Sequence, residues 1–121
     1  KVEKQHIVLD VGCANGLFDI FLSACCKKLV CVEPVHELRQ KAKYNLKTFD
    51  NVGVVDGHAS NIPLSAESVD RVLMLQVLQL IPDSEVMQVF CRLCVERSDN
   101  CLAQFFRCFT IHKNTIPKVN I

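Results

Sequence analysis

The stretch LDVGCANG, residues 9–16, decides how this chain is read. It closes an apolar run rich in β-formers over residues 6–11 and opens onto the equally apolar LFDIFLSACC. A short, mostly apolar run of this kind suits a strand buried on both faces. Gly12 and Gly16, with Ala14 between them, fall where that strand must hand over to a helix. Glycine there lets the backbone turn sharply and keeps side chains out of the way of an approaching ligand.

Working outward, residues 17–28 carry Leu17, Phe18, Phe21, Leu22 and Cys25 at helical spacing, which predicts that these side chains form the buried face. Residues 29–33, LVCVE, read as a second strand, which Pro34 ends. Residues 35–47 predict a helix with Val35, Leu38, Ala42 and Leu46 on one side. Asn51 and Gly53 mark a turn region around a third strand, residues 52–56. The polar, proline-containing segment 58–68 is a loop, and residues 69–75, VDRVLML, are a fourth strand. Pro82, Asp83, Ser84 and Glu85 make a good helix start, since proline suits the first turn and acids there complement the helix dipole. That helix runs to about residue 97, and residues 101–106 give a fifth strand. Alternating strands and helices argue for a three-layer, Rossmann-like α/β fold with a mostly parallel sheet of about five strands. With no repeat or linker, residues 1–121 are expected to form a single domain. In such sheets ligands bind beyond the carboxyl ends of the strands.

Composition narrows the field. Half of the 121 residues are hydrophobic and 22% are charged, which favours a folded domain over disorder. A formal net charge of +1, with no run of five like charges, gives no footprint for nucleic acid or an anionic membrane. The basic stretch KAKYNLK reads as a solvated helix face. No apolar run reaches the roughly 20 residues that span a bilayer. The first residue is Lys1 rather than methionine, so the expectation is a segment of a longer protein or one that follows a removed leader. Eight cysteines mostly lie inside apolar segments and read as small buried thiols. That makes the expected location intracellular, in the cytoplasm. Cys91-x-x-Cys94, with Cys101 and Cys108, has the residue types of a zinc site, but the pair falls on the expected helix with no glycine knuckle. No metal site is expected. His6, His36 and His112 are scattered, as surface or strand-end residues are.

Glu33 follows Gly12 by about the 20 positions at which an acid, ending the second strand, can hydrogen-bond both hydroxyls of a ribose. Loop and acid together predict a nucleoside-containing cofactor. The glycine spacing G-C-A-N-G departs from the dinucleotide fingerprint G-x-G-x-x-G, which disfavours a nicotinamide oxidoreductase.

The stretch resembles motif I of the class I S-adenosylmethionine-dependent methyltransferases, in the small "type 11" form: an acid followed by G-x-G-x-G. Asp10, Gly12, Ala14 and Gly16 match it, with alanine replacing the middle glycine. The resemblance continues through VEP at 32–34, HELRQKAKYN at 36–45 and DGHASNIPLSAESVDRVLMLQVLQLI at 56–81, and covers roughly residues 7–106. It implies S-adenosylmethionine as cofactor and methyl transfer to an unidentified acceptor. The backbone of Gly12, Ala14 and Gly16 would approach the amino-acid part of the cofactor. Asp10 would accept from the ammonium, and Glu33 would hold the ribose hydroxyls. His58 and Ala59 fall where the family reads adenine, and Gln76 would lie beside the methionine portion and the substrate entrance.

Departures from the family are specific. His58 stands where aspartate is usual, Gln79 and Leu80 replace frequent histidines, and RSDN at 97–100 replaces a glycine turn. No residue is singled out as a general base, which only some acceptors need, so no catalytic residue is assigned. The family's sheet has seven strands, the last two an antiparallel hairpin, and residues 109–121 are too few for a helix plus that hairpin. The expected chain is the cofactor half, with strand five an edge to be covered by a protein partner, a second copy or further sequence. The rival reading is a non-catalytic module of this fold that acts through a partner interface.

Overall fold

The two central strands lack polar alternation because helices and loops cover both of their faces. The computed structural model describes residues 1–65, 68–75, 77, 80–82, 84 and 85. In it β1 (Ile7–Val11) and β2 (Lys28–Val32) pair in parallel, from Ile7 opposite Lys28 to Val11 opposite Val32. β3 (Val52–Val55) lies outside β2 and β4 (Arg71–Leu73) lies outside β1, both parallel, giving the order β3-β2-β1-β4. α1 (Leu17–Ser23) connects β1 to β2, and α2 (His36–Leu46) connects β2 to β3. The chain therefore walks outward from β1 to β3 and then crosses back to β1's other side. The gap between the first connection outward and the return is the switch point of an open α/β sheet. The expected Rossmann-like, mostly parallel architecture is present. The expected fifth strand and the helix to residue 97 lie outside the described residues, except that the Glu85 N–H donates to the Pro82 carbonyl (2.8 Å) where that helix was expected to begin.

Side-chain alternation divides the core in two. Val8, Leu29 and Cys31 face the helices and pack with Cys13, Leu22, Cys26, Ala42 and Leu46. Leu9, Val11, Val30 and Val32 face the other way and pack with Ala59 and Met74.

The helices correct two expectations. α1 ends at Ser23, short of the expected residue 28, because the Lys27 N–H must reach the His6 carbonyl (2.9 Å) as the chain enters β2. The Asn51 amide closes that helix end from a distance, donating to the carbonyls of Ser23 (2.9 Å) and Cys26 (3.3 Å). More consequentially, α1 is rotated relative to the expected phase. Of the expected face only Leu22 is buried; Leu17, Phe18, Phe21 and Cys25 are exposed, and Asp19, Ser23 and Cys26 are buried beside Leu22 instead. Gly16 sets that rotation. A Cβ on Gly16 would stand 2.8 Å from Leu46 Cδ1 and 3.2 Å from the Ala42 backbone, so the start of α1 rests directly on α2. In α2, Ala42 and Leu46 are buried as expected, while Val35, at its N-cap, is exposed.

β4 is shorter than residues 69–75 because Asp70 continues the pairing with its side chain. The Asp70 N–H donates to the Ile7 carbonyl, and the Ile7 N–H donates to Asp70 Oδ2, both at 2.8 Å.

Candidate functional site

The loop after β1 is built from left-handed residues. Gly12 (φ 81°), Ala14 (φ 54°) and Gly16 (φ 75°) all have positive φ, and the loop they form leaves the carboxyl end of β1. Ala14 adopts a conformation that disfavours any side chain by roughly 1–2 kcal/mol, taking the place a middle glycine would fill. At Gly12 a Cβ would collide with the Val77 side chain, so the loop also packs against the segment after β4.

Polar ties from β2 and α2 hold the loop. The Val32 carbonyl accepts from both Gly12 N–H (2.7 Å) and Cys13 N–H (3.2 Å), and the Gly16 N–H closes back on the Cys13 carbonyl (3.0 Å). Asn45 of α2 donates to the Asn15 carbonyl (2.8 Å). The strongest tie is Glu33. Its Oε2 accepts from Ala14 N–H (2.8 Å) and its Oε1 from Val35 N–H (2.9 Å), with only 4% of the residue exposed. The carboxylate that ends β2 thus fixes both the loop and the entrance to α2. Arg39 of α2 braces the same corner, with Nη1 donating to the carbonyls of Glu33 (2.9 Å) and Pro34 (3.0 Å) and to Asp56 Oδ1 (3.0 Å). Sequence reasoning missed Arg39, Asn45 and Asn51. The one signal available for Arg39 was an acid, Asp56, ending β3 beside it.

Beneath the loop lies an unusual concentration of acidic groups. Asp10 is buried with Oδ1 lacking a hydrogen-bond partner. Burial first, then the neighbouring Asp19 carboxyl and Glu33, push its pKa up to about 8. Asp19 is fully buried, and neither of its oxygens has a hydrogen-bond partner of good geometry. Burial raises its pKa too, and its carboxyl faces the Asp10 carboxyl and the Cys31 thiol. The Cys31 thiol is pushed up by its contact with Cys13, then by burial and by Asp19.

His58 begins the loop after β3 in a two-residue antiparallel bridge with Asn61. Its ring Nδ1 accepts from the Ser60 N–H (3.3 Å) and lies 2.7 Å from Ser60 Oγ. Accepting at Nδ1 puts the neutral ring's proton on Nε2, so the exposed edge is a donor. Ala59 is buried against β2's second face. Asp10, Gly12, Ala14, Gly16 and Glu33 therefore converge at one end of the sheet, with His58 and Ala59 beyond the neighbouring strand. Gln76 lies outside the described residues. A depression of about 450 Å³ lined by Lys27, Lys28, Asp50, Asn51, Val52 and Gly53 sits at the opposite, amino-terminal end of the strands. That is the wrong end for ligand binding in a parallel sheet.

Residues 8–95 match the family profile described as a methyltransferase domain. The chain belongs to that family. This methyltransferase domain is 31% identical over 86 residues to a protein-L-isoaspartate O-methyltransferase of a Bradyrhizobium species, a match covering 69% of this chain and 40% of the relative. The chain spans about 40% of the length of that curated relative. Among solved structures, its fold resembles a phosphoethanolamine N-methyltransferase of Haemonchus contortus in complex with phosphoethanolamine and S-adenosylhomocysteine. There the TM-score is 0.72 and the identity 18%, covering 76% of this chain and 20% of that one. An S-adenosylmethionine-dependent methyltransferase of Aquifex aeolicus aligns with TM-score 0.70 and 23% identity, over 77% of this chain and 51% of that one. No helix among the described residues is long and apolar enough to cross a membrane.

Proposed function

We propose that this methyltransferase domain binds S-adenosylmethionine at the carboxyl ends of β1, β2 and β3, as the cofactor-holding part of an enzyme that methylates an acceptor still to be identified. The observation that carries the reading is Glu33: a buried carboxylate that holds the left-handed loop in shape at the switch point of the sheet. Each of its oxygens uses one lone pair on a backbone N–H and keeps another for a ribose hydroxyl. The unpartnered Oδ1 of Asp10 fits an acceptor role toward the cofactor's ammonium. Backbone of Gly12, Ala14 and Gly16 would lie against the amino-acid portion, and the family resemblance assigns Gln76 to the methionine portion and the substrate entrance. Toward adenine, His58 would offer its Nε2–H to a ring nitrogen rather than accept from the amino group, and Ala59 would offer its backbone.

When bound, the cofactor supplies a methyl carbon made electrophilic by its sulfonium. The chain's own contribution is to align that carbon with the acceptor and to exclude water. The curated relative is a protein-L-isoaspartate O-methyltransferase, but the match covers less than half of it, so the acceptor is left open here. A cytoplasmic location and a single-domain organisation belong to the same proposal.

Calorimetric titration with S-adenosylhomocysteine, with NAD as the control, tests the site. Glu33→Ala alone is ambiguous, because it also releases the loop. The deciding measurement pairs Glu33→Gln with a cofactor analogue lacking the ribose hydroxyls. If Glu33 contacts the ribose, the two losses overlap and are not additive. Absence of binding by a folded chain rejects the site. It would favour the rival reading, a docking module, for which the exposed Leu17, Phe18 and Phe21 of α1 are the supporting observation.

A further inference from the structure

Cofactor binding gives Asp10 a role but leaves Asp19, Cys13 and Cys31 beneath the loop without one. Cys13 follows β1, Cys31 lies in β2 and Asp19 lies in α1, so three separate elements bring them together. All three are buried, and one ligand atom from each lies within 4.8 Å of the other two. A fully buried carboxylate with both oxygens unpartnered is expensive to leave that way. Here it points at two thiols and a second buried carboxyl, Asp10, which can satisfy it only by keeping protons.

We propose that Cys13, Cys31 and Asp19 form a binding site for a thiophilic divalent cation of the zinc type, with Asp10 hydrogen-bonded to Asp19 as its outer partner. The ligand chemistry selects the ion. Two sulfurs and one carboxylate suit zinc and disfavour magnesium or calcium, which take oxygen ligands. Zinc–sulfur and zinc–oxygen bonds of about 2.3 and 2.0 Å place tetrahedral ligand atoms roughly 3.5–3.8 Å apart. Ligand atoms at that 4.8 Å limit have to close by about 1.0–1.3 Å to meet an ion. Three protein ligands leave a fourth position for water.

Proton balance follows from the donors. Binding displaces the thiol protons of Cys13 and Cys31 to solvent and leaves Asp19 ionised on the metal. Asp10 stays protonated and donates to the outer Asp19 oxygen. Because Cys13 belongs to the loop, the metal would pin the loop to β2 and α1 from below. The expectation of no metal was drawn from Cys91 and Cys94, a different set. The present one has no sequence signature, since its members come from three elements.

Cobalt(II) is the probe. The chain, stripped with a chelator and kept reduced, should bind one cobalt with tetrahedral visible absorption and thiolate charge-transfer absorption, both displaced by zinc. Cys13→Ser and Cys31→Ser should each remove one thiolate contribution and weaken binding by more than roughly tenfold. Cys25→Ser and the pair Cys91→Ser/Cys94→Ser should change neither. Asp19→Asn keeps the size of the side chain and one acceptor oxygen while removing the carboxylate ligand, and its metal-free fold is checked by far-ultraviolet circular dichroism. It should keep the thiolate absorption while losing affinity by a similar factor, and it decides the matter should a serine variant fail to fold. Three results would overturn the proposal: no thiolate absorption in the folded chain, a signal that follows Cys91 and Cys94, or unchanged affinity in folded Asp19→Asn.

Discussion

Replacing Glu33 with glutamine separates the shape of this side chain from its charge. The carboxylate accepts two backbone hydrogen bonds, from Ala14 and Val35, in a nearly closed environment. Hydrogen bonds to a charged acceptor contribute about 1.5–3 kcal/mol each. Glutamine keeps one acceptor oxygen, so one bond survives at the neutral strength of about 1 kcal/mol. The other backbone N–H then faces the amide's own NH₂, donor against donor, and a buried unsatisfied donor costs about 1–3 kcal/mol. Relief of the buried charge offsets part of this. A net loss of about 2–3 kcal/mol remains, roughly a 30- to 150-fold shift of the folding equilibrium at 1.36 kcal/mol per tenfold. The chain has no tryptophan, so urea unfolding is followed by far-ultraviolet circular dichroism. Glu37→Gln, in the exposed first turn of α2, is the control and should cost less than about 1 kcal/mol. A Glu33→Gln midpoint within about 0.5 kcal/mol of the wild type, the range of an ordinary surface change, would refute the idea that this carboxylate holds the loop.

Other outcomes follow from the same geometry. Ala14→Gly should leave stability unchanged or raise it by under about 1 kcal/mol, because relief of the left-handed strain is offset by greater unfolded-state freedom. Gly16→Ala should lose more than about 2 kcal/mol, since it adds a Cβ against Leu46 and the α2 backbone in a left-handed conformation. Both are read by urea unfolding. Asn51→Leu, which removes both bonds to the end of α1, should cost about 1–2 kcal/mol. In metal-free buffer, Asp10 gives a pH signature. Its folded-state pKa, raised from 3.8 to about 8, means that the folded chain holds a proton the unfolded chain releases. Its contribution is therefore fully present below about pH 4 and is lost as pH rises through about 8. The stability of Asp10→Asn relative to wild type should climb from pH 5 to pH 9, and a flat difference would contradict it.

Much of the fold was legible because it rests on local signals. β1, β2 and α2 announce themselves by apolar runs and by Pro34, and Glu33 by its distance from Gly12. The phase of α1 was not legible. Its sequence carries two stripes at helical spacing that share Leu22: the apolar Leu17, Phe18, Phe21, Leu22 and Cys25, and the mixed Asp19, Leu22, Ser23 and Cys26. A rule that buries apolar side chains picks the first stripe. The molecule buries the second, because Gly16 seats the helix on α2 and because Asp10 and Cys31, both from strands, receive Asp19. Arg39, Asn45 and Asn51 were invisible for a related reason. Their main partners are backbone carbonyls, near in sequence for Arg39 and distant for Asn45 and Asn51, which no residue type advertises. The donor edge of His58 depends on Ser60 turning back onto Nδ1, a detail of one turn rather than of composition.

Glu33 has one more consequence, for the timing of motions. Its two oxygens clamp the amide protons of Ala14 and Val35, which are distant in the chain and belong to different elements. Neither proton can meet solvent while the carboxylate sits between them, and one swing of that side chain uncovers both. Hydrogen exchange at these two amides should therefore share a single rate, set by one local opening well below global unfolding. Anything that occupies the crevice and steadies the carboxylate should slow the two together, so the pair is a built-in clock for the state of the site.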